Sequence, residues 1–475
     1  MADRTYLELS EAQGVAHKFY EVIIDGSEVT IRFGRIGTKG TTQKKSYPSP
    51  EKAKADAGKK IASKRKKGYA DAVMGERKKR AVSRREVTST KSTASGAPVL
   101  WKLETKTTAF GISIDDQQCW VGNEAGRVIC VNHEGAFQRE FKLPDGVKCL
   151  VADSAWLYAG CDDGNVYDLT GKLPTVAYAI ADDVDIYWLD IADAVLGVAD
   201  ALGKVHVFNH EDEEQWSKKS TGSHGWMVRC DEIGVYHGHS AGVTMYDWDG
   251  GDKIWHRKTQ GNVLFGWQEE DSVYAGTSSG VIHGFTKQGE EQVTCNCDKA
   301  VYSCATAEGG KYIFAGDNSS TIYCFDGSGK RLWKMATGCG SALSMQYRNE
   351  KVFVVTTGGI LACIDASESA IKSAQAGKVP KVKNIKAPTQ AANVATVDTA
   401  VETTRDSGDG IVVECYKKSG RIRVRAISSG YKKTWNVQFP KNLRQEGAKF
   451  VVEELRESSR GGFYRVRGNI RRLEE

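Results

Sequence analysis

The sequence contains no uninterrupted apolar run approaching the roughly 18 residues needed to cross a bilayer. No apolar stretch follows the start at Met1-Ala2-Asp3-Arg4. Membrane spanning and export are therefore not expected. The 12 cysteines never stand adjacent and never repeat as CxxC pairs, which argues against a disulfide framework and points to a reducing compartment. The expected location is the cytoplasm, or the nucleoid or nucleus if the chain is DNA-bound. Cys295-Asn296-Cys297 with Cys304 is the densest cysteine group and His237-Gly238-His239 the densest histidine group; they lie far apart, and no metal site is expected. GxSxG, P-loop and HExxH patterns are missing too, so neither an enzyme nor a cofactor is expected.

What is present first is charge, unevenly placed. The net charge of +6 conceals two basic ends. Residues 1–95 and residues 371–475 each carry 22 Lys and Arg against 11 Asp and Glu, whereas the middle carries 22 against 38. Basic ends on an acidic body are a physical argument for polyanionic partners, or simply for solubility.

The middle of the chain repeats. Trp120-Val121-Gly122 followed by Gly126-Arg127-Val128 returns as Tyr158-Ala159-Gly160 with Gly164-Asn165-Val166. It returns again as Tyr236-His237-Gly238, Tyr274-Ala275-Gly276 and Phe314-Ala315-Gly316 with their own second strands. Degenerate copies sit at Val198-Ala199 and Val354-Val355. The turn residue falls at Gly126, Gly164, Gly203, Gly242, Gly280, Ser320 and Gly359, a spacing of 38 to 40 residues. Each copy reads as a hairpin between two further strands, the period of a propeller blade. Trp216, Trp255 and Trp333 mark fourth strands after their hairpins. Trp101 precedes the first hairpin and the seventh copy ends at Asp365 without a fourth strand, so residues 99–105 are expected to close the ring, which removes an open edge. The Asp-Gly-x-x-x-x-x-Trp tails, as in Asp326 to Trp333, resemble PQQ-type propellers more than WD-repeat ones, though both are similar. That resemblance implies a rigid interaction platform or, alternatively, a PQQ-like enzyme or small-molecule binder. Acidic loops such as Asp162-Asp163, Asp182-Asp183 and Glu211 to Glu214 lie between these strands. They read as solvated loops, or as competitors with nucleic acid for the basic ends.

Residues 1–72 read as a compact α+β unit. Strands are expected around Thr5–Leu9, Lys18–Ile24 and Val29–Phe33, and a helix from Ser49-Pro50 to about Lys67, ended by Gly68. Phe33-Gly34-Arg35-Ile36-Gly37-Thr38-Lys39-Gly40, with Tyr47 and Lys67-Gly68-Tyr69 behind it, resembles a WGR domain, the nucleic-acid-binding module of poly(ADP-ribose) polymerases. An aromatic at a strand end beside a guanidinium, with glycines that let backbone amides approach a phosphate, suits sequence-tolerant binding. The resemblance assigns stacking to Phe33 and phosphate pairing to Arg35, with Gly34, Gly37, Lys39, Lys44, Lys64, Arg65 and Lys67 contributing. Phe replaces the family's Trp and so loses the indole donor. The alternative reading is that Phe33 is a core aromatic and Arg35 a solvated surface charge.

Residues 73–98 read as a basic linker, and residues 366–409, which have no aromatic residue, as a flexible one. From 410 to 475 a small basic β-rich domain is expected. Its Arg421-Ile422-Arg423-Val424-Arg425 alternation gives one basic and one buried face. The row Arg421, Arg423 and Arg425 is a second polyanion site or a solvated strand face. The expected architecture is multidomain and mainly β: a small α+β WGR-like domain (1–72), a seven-bladed β-propeller (99–365) and a small C-terminal β-rich domain. The expected function is a noncatalytic nucleic-acid-binding adaptor, for DNA with RNA as the alternative, whose propeller binds a protein. A scaffold binding acidic proteins is the other alternative.

Overall fold

The structure is a computed structural model, and it describes residues 3–10, 17–35, 41–71, 94, 96–180, 186–386, 395–396 and 401–474. It divides into two units, residues 1–84 with 180–185 and the remainder, each considered by itself.

In the first unit, five strands order as β4-β3-β2-β1-β5: β1 (Asp3–Ser10), β2 (His17–Asp25), β3 (Glu28–Arg35), β4 (Thr41–Ser46) and β5 (Ala70–Asp71). Alternate residues of β1 to β3, namely Leu7, Tyr20, Val22, Val29 and Ile31, are buried with Ala53 and Ala57 of helix α1 (Pro50–Lys66). Two alanines on one helix face, four apart, let α1 lie close on the sheet. Ser49 caps it and Pro50 stands in its first turn, as its sequence demands.

The second unit contains seven four-stranded antiparallel blades, from Ala109–Ile114 as the innermost strand of blade 1 to Ala342–Arg348 as that of blade 7. The inner strands contact one another in cyclic order, and blade 7 meets blade 1. Blade 7 draws its outer strand, Val99–Glu104, from ahead of blade 1, with Trp101 opposite Cys363. Side chains of one blade cap the inner strand of the next. Asp190 accepts from Cys230 N at 2.9 Å, Arg229 donates to Gly266 O, and Gln346 accepts from Ile114 N at 2.8 Å while donating to Ile112 O. Backbone groups that would face the axis unpaired are thereby satisfied.

Outer-strand tryptophans pin three blades to their successors. Trp101 Nε1 donates to His133 O, Trp216 to Trp248 O and Trp255 to Lys287 O, all at 2.8 to 2.9 Å. Trp333 is buried but its Nε1 has no acceptor. The reason is topological: blade 7 takes its outer strand from elsewhere, so the chain makes no corner after Asp365 for Trp333 to reach.

Residues 366–409 depart from the expected linker. Helix α2 (Glu368–Gln375) buries Ile371 and Ala374 on the blade 6 and 7 core. Lys383–Lys386 then adds to Val99–Glu104 as a parallel fifth strand, and Ala395–Thr396 pairs with the outer strand of blade 1. A segment without aromatics has no core of its own, but propeller edges supply its hydrogen bonds and its apolar cover. Of the basic linker 73–98, residues 73–93 and 95 lie outside the described residues.

The C-terminal domain is a six-stranded sheet around Val413, Val424, Phe439, Phe450 and Tyr464, and it docks on blades 2 and 3. Arg465, 2% exposed, pairs with Asp153 at 2.7 Å, donates to Tyr158 Oη and covers the Trp156 ring at 3.8 Å. Trp156 Nε1 donates to Val466 O, and His210 stacks on Phe463 at 3.8 Å. Among the described residues no helix is long and apolar enough to cross a membrane.

Candidate nucleic-acid interface

Strand parity divides the residues of the first unit between two faces. Phe33 follows Val29 and Ile31 onto the side that α1 covers; its ring is half-buried, 6.3 Å from that of Tyr20. It therefore finishes the core at that end while keeping an open edge. Gly34 stands opposite Phe19 and Arg35 opposite Lys18 in the β2–β3 ladder. Gly37 and Lys39 lie outside the described residues. On the opposite face the buried carboxylate of Glu21 is paired with Arg4 and, at 2.9 Å, with Arg32, whose guanidinium lies 5.3 Å from the Phe19 ring. Both arginines of that face are thus already ion-paired.

The uncompensated charge gathers where α1 ends. Lys64 Nζ stands 4.5 Å from the ring of Tyr20 and 5.1 Å from that of Tyr69. Burial, then the nearby charges of Lys67 and Lys18, push its pKa down. Lys67 and Lys18 each act on Lys64 as like charges, so an anion bound at Lys64 is favoured. The two tyrosines, both buried, fix the Lys64 stem and have their own pKa values raised, chiefly by burial. Lys18 and Lys67 are exposed. Other predicted cations are engaged: Arg65 pairs with Asp71 at 2.7 Å and Lys44 with Glu28 at 3.2 Å, both in solvent, where such pairs exchange readily for a phosphate. Tyr47 donates to Asp56, which also pairs with Lys60 at 3.4 Å.

Motif reading thus picked out Lys64 and Lys67 but missed Lys18 as a partner and the two tyrosines as the floor. Tyr69, two residues after Lys67 and just past the helix-ending Gly68, was the available signal.

The arginine row of the C-terminal domain is differently placed. Arg421 pairs with Glu213 at 2.7 Å and Arg423 with Glu211 at 3.5 Å, both carboxylates on the blade 3 corner. Lys441 pairs with Asp212 at 3.4 Å, and Arg444 donates to Glu211 O. Arg425 pairs within its own domain with Glu414 and lies over Tyr416. The acidic corner, read from sequence as a solvated loop or a competitor for the basic ends, holds Arg421 and Arg423 of this row. Among the described residues no group of three or more His, Cys, Asp or Glu side chains is placed to hold a metal ion.

Comparison with known proteins accords with both units. Residues 3–76 match the WGR domain model, and residues 201–448 match a PQQ-type repeat model described as outer membrane protein assembly factor BamB. The crystal structure of the WD40 β-propeller domain of Doa1 is 13% identical, covering 58% of this chain and 99% of its own, with a TM-score of 0.50; it shares the fold. The crystal structure of the computationally designed Ika8 protein is 14% identical over 56% of this chain and 99% of its own, with a TM-score of 0.48. Comparison with curated proteins returns no match. With more than half of its length matched by that repeat model, the chain belongs to the PQQ-type repeat family described as outer membrane protein assembly factor BamB, and it carries a WGR domain in residues 3–76.

Proposed function

We propose that this protein is a noncatalytic nucleic-acid-binding adaptor: the WGR domain grips a DNA backbone and the propeller holds a protein partner, with no cofactor. The observation that carries the reading is the convergence of Lys18, Lys64 and Lys67 beside Tyr20 and Tyr69, in a domain of the WGR family. Phosphate contacts position a protein without reading sequence, so binding to the backbone at this cluster is expected to tolerate any sequence. The half-buried Phe33 offers at most a ring edge for stacking.

The test is binding of the full chain to a labelled blunt duplex, the same duplex nicked, a single strand and an RNA of equal length, across a salt series. Wild type is expected to lose affinity steeply with salt. The triple variant Lys18→Ala, Lys64→Ala, Lys67→Ala is expected to flatten the slope by about 0.9 for each phosphate no longer neutralised. Identical slopes for the two chains would remove the cluster from the interface, and absence of salt-dependent binding by wild type would remove the adaptor reading.

A further inference from the structure

Each outer strand of the propeller carries a β-bulge, at its second residue in every blade but blade 2, where it falls at the third. One residue is left out of the pairing between the third and fourth strands: Gln138, Ala177, Gln215, Ile254, Gln292, Leu332 and Leu100 in blades 1 to 7. A bulge re-aims its side chain away from the regular pleat. In three blades the re-aimed residue is glutamine and in one alanine, which suits an outer rim in water. In blades 4, 6 and 7 it is a large aliphatic residue.

Two of those three are covered by the chain itself. Leu332 packs with the core that holds Ile371 and Ala374, and Gln375 of α2 donates to its carbonyl. Leu100 is half-buried in the cluster that Ile385 joins, and the Lys383–Lys386 strand lies parallel to its own. The third, Ile254, is 58% exposed, the highest value among the described large apolar residues. Its strand, Lys253–Arg257, ends its sheet. In blades 6 and 7 the aliphatic bulge residue thus accompanies an element laid on the outer edge, blade 1 with Gln138 carries only the two-residue Ala395–Thr396 pairing, and among the described residues blade 4 has the aliphatic residue without an element.

We infer that the outer edge of blade 4 is the docking site for a partner protein, which adds an extended segment parallel to Lys253–Arg257 and seats an aliphatic side chain on Ile254. The mode is strand addition: main-chain bonds supply affinity and the side-chain contact supplies selectivity. The chain's own Lys-Asn-Ile-Lys segment on blade 7 is the template for direction. Charge defines the partner further, because Lys253, Arg257 and Lys258 are all exposed around Ile254. Acidic residues flanking the aliphatic one complement them. The inference rests on reading the propeller as a protein platform and names the place and chemistry of that contact.

The experiment selects a phage-displayed library of randomised twelve-residue peptides on the full chain, beside Ile254→Gln. Glutamine is what blades 1, 3 and 5 use at this position, so the variant keeps its fold. Enriched peptides are expected to share an aliphatic residue flanked by Asp or Glu and to bind the variant at least about ten-fold more weakly, the worth of one buried aliphatic side chain. They are also expected to slow amide exchange in residues 253–257. Peptides that bind both chains alike would overturn the blade 4 site while leaving the platform reading standing; no enrichment would remove both. Self-association of wild type abolished by Ile254→Gln would make the occupant a second copy and overturn the proposal as well. The duplex affinity of Ile254→Gln is expected to equal that of wild type, which separates this test from that of the WGR cluster.

Discussion

The corner glycines and outer-strand tryptophans form one device. Gly289 has φ +87°, and a Cβ there would lie 2.8 Å from the Trp255 ring. Gly251 stands in the same relation to Trp216, at 2.6 Å. These positions need glycine twice over, for the left-handed backbone and for the indole of the preceding blade. Gly289→Ala is expected to cost about 2–4 kcal/mol, since left-handed strain and overpacking against a rigid ring add. Gly309, with φ +66° and nothing within 4 Å of its missing Cβ, supplies the comparison: Gly309→Ala incurs only the backbone cost of about 1 kcal/mol. Chemical unfolding of the two variants checks this, and equal losses would mean that the indole yields without penalty. The Trp spacing was visible in the sequence because the indole recurs at one position of the outer strand, whereas the corner residue varies, Asp212 taking it in blade 3 with φ +60°. The bulge residues were not, because a bulge is a property of two paired strands and leaves no mark on one.

At the scale of elements, the C-terminal domain is held by buried charge. Arg465 answers Asp153 directly and Asp193 at 3.7 Å, and Asp193 also accepts from Ser458 Oγ and Arg460 N. Arg465→Met strands Asp153 in a dry interface and is expected to cost about 3–5 kcal/mol of docking free energy. Faster amide exchange and proteolysis across residues 449–473 are the readouts. Docking also depends on pH. Burial, then Arg444 and Arg423, depress the His210 pKa to about 4. Undocked, His210 titrates near its ordinary value of about 6.5. Its contribution is therefore complete above that value and falls by up to about 1.4 kcal/mol per pH unit as pH drops toward 4. Burial raises Glu211 and Asp212, which pull the opposite way low in this window, so the comparison with His210→Phe carries the test. That variant keeps the stack on Phe463 and removes the titration. Between pH 6.5 and 4 it is expected to lose less docking than wild type. None of this interface was legible beforehand: Arg465 reads as one more strand arginine, and only the fold brings residues 153, 158 and 465 together. The strap from Glu368 to Lys386 was hidden for the related reason that its apolar residues are few and find their cover in other blades.

Over the whole molecule, the charge pattern reads differently once pairing is known. Both ends carry the same excess of Lys and Arg in the sequence, yet they do not meet polyanions on equal terms. Four C-terminal cations, Arg421, Arg423, Lys441 and Arg444, already face the blade 3 corner at Glu211, Asp212 and Glu213. That corner presents closely spaced anions to the row much as a phosphate backbone would. Nucleic acid must displace it before it gains a contact, whereas Lys18, Lys64 and Lys67 gain from an anion outright. In the full chain, Arg421→Ala with Arg423→Ala is therefore expected to leave the salt slope of duplex binding unchanged. Glu211→Gln with Glu213→Gln is expected to steepen it by about 0.9 for each phosphate the released arginines take up. A shallower slope in the arginine double variant would mean that nucleic acid already outcompetes the acidic corner. The second basic end would then be part of the wild-type interface, and the acidic corner no more than the resting partner of a site in use.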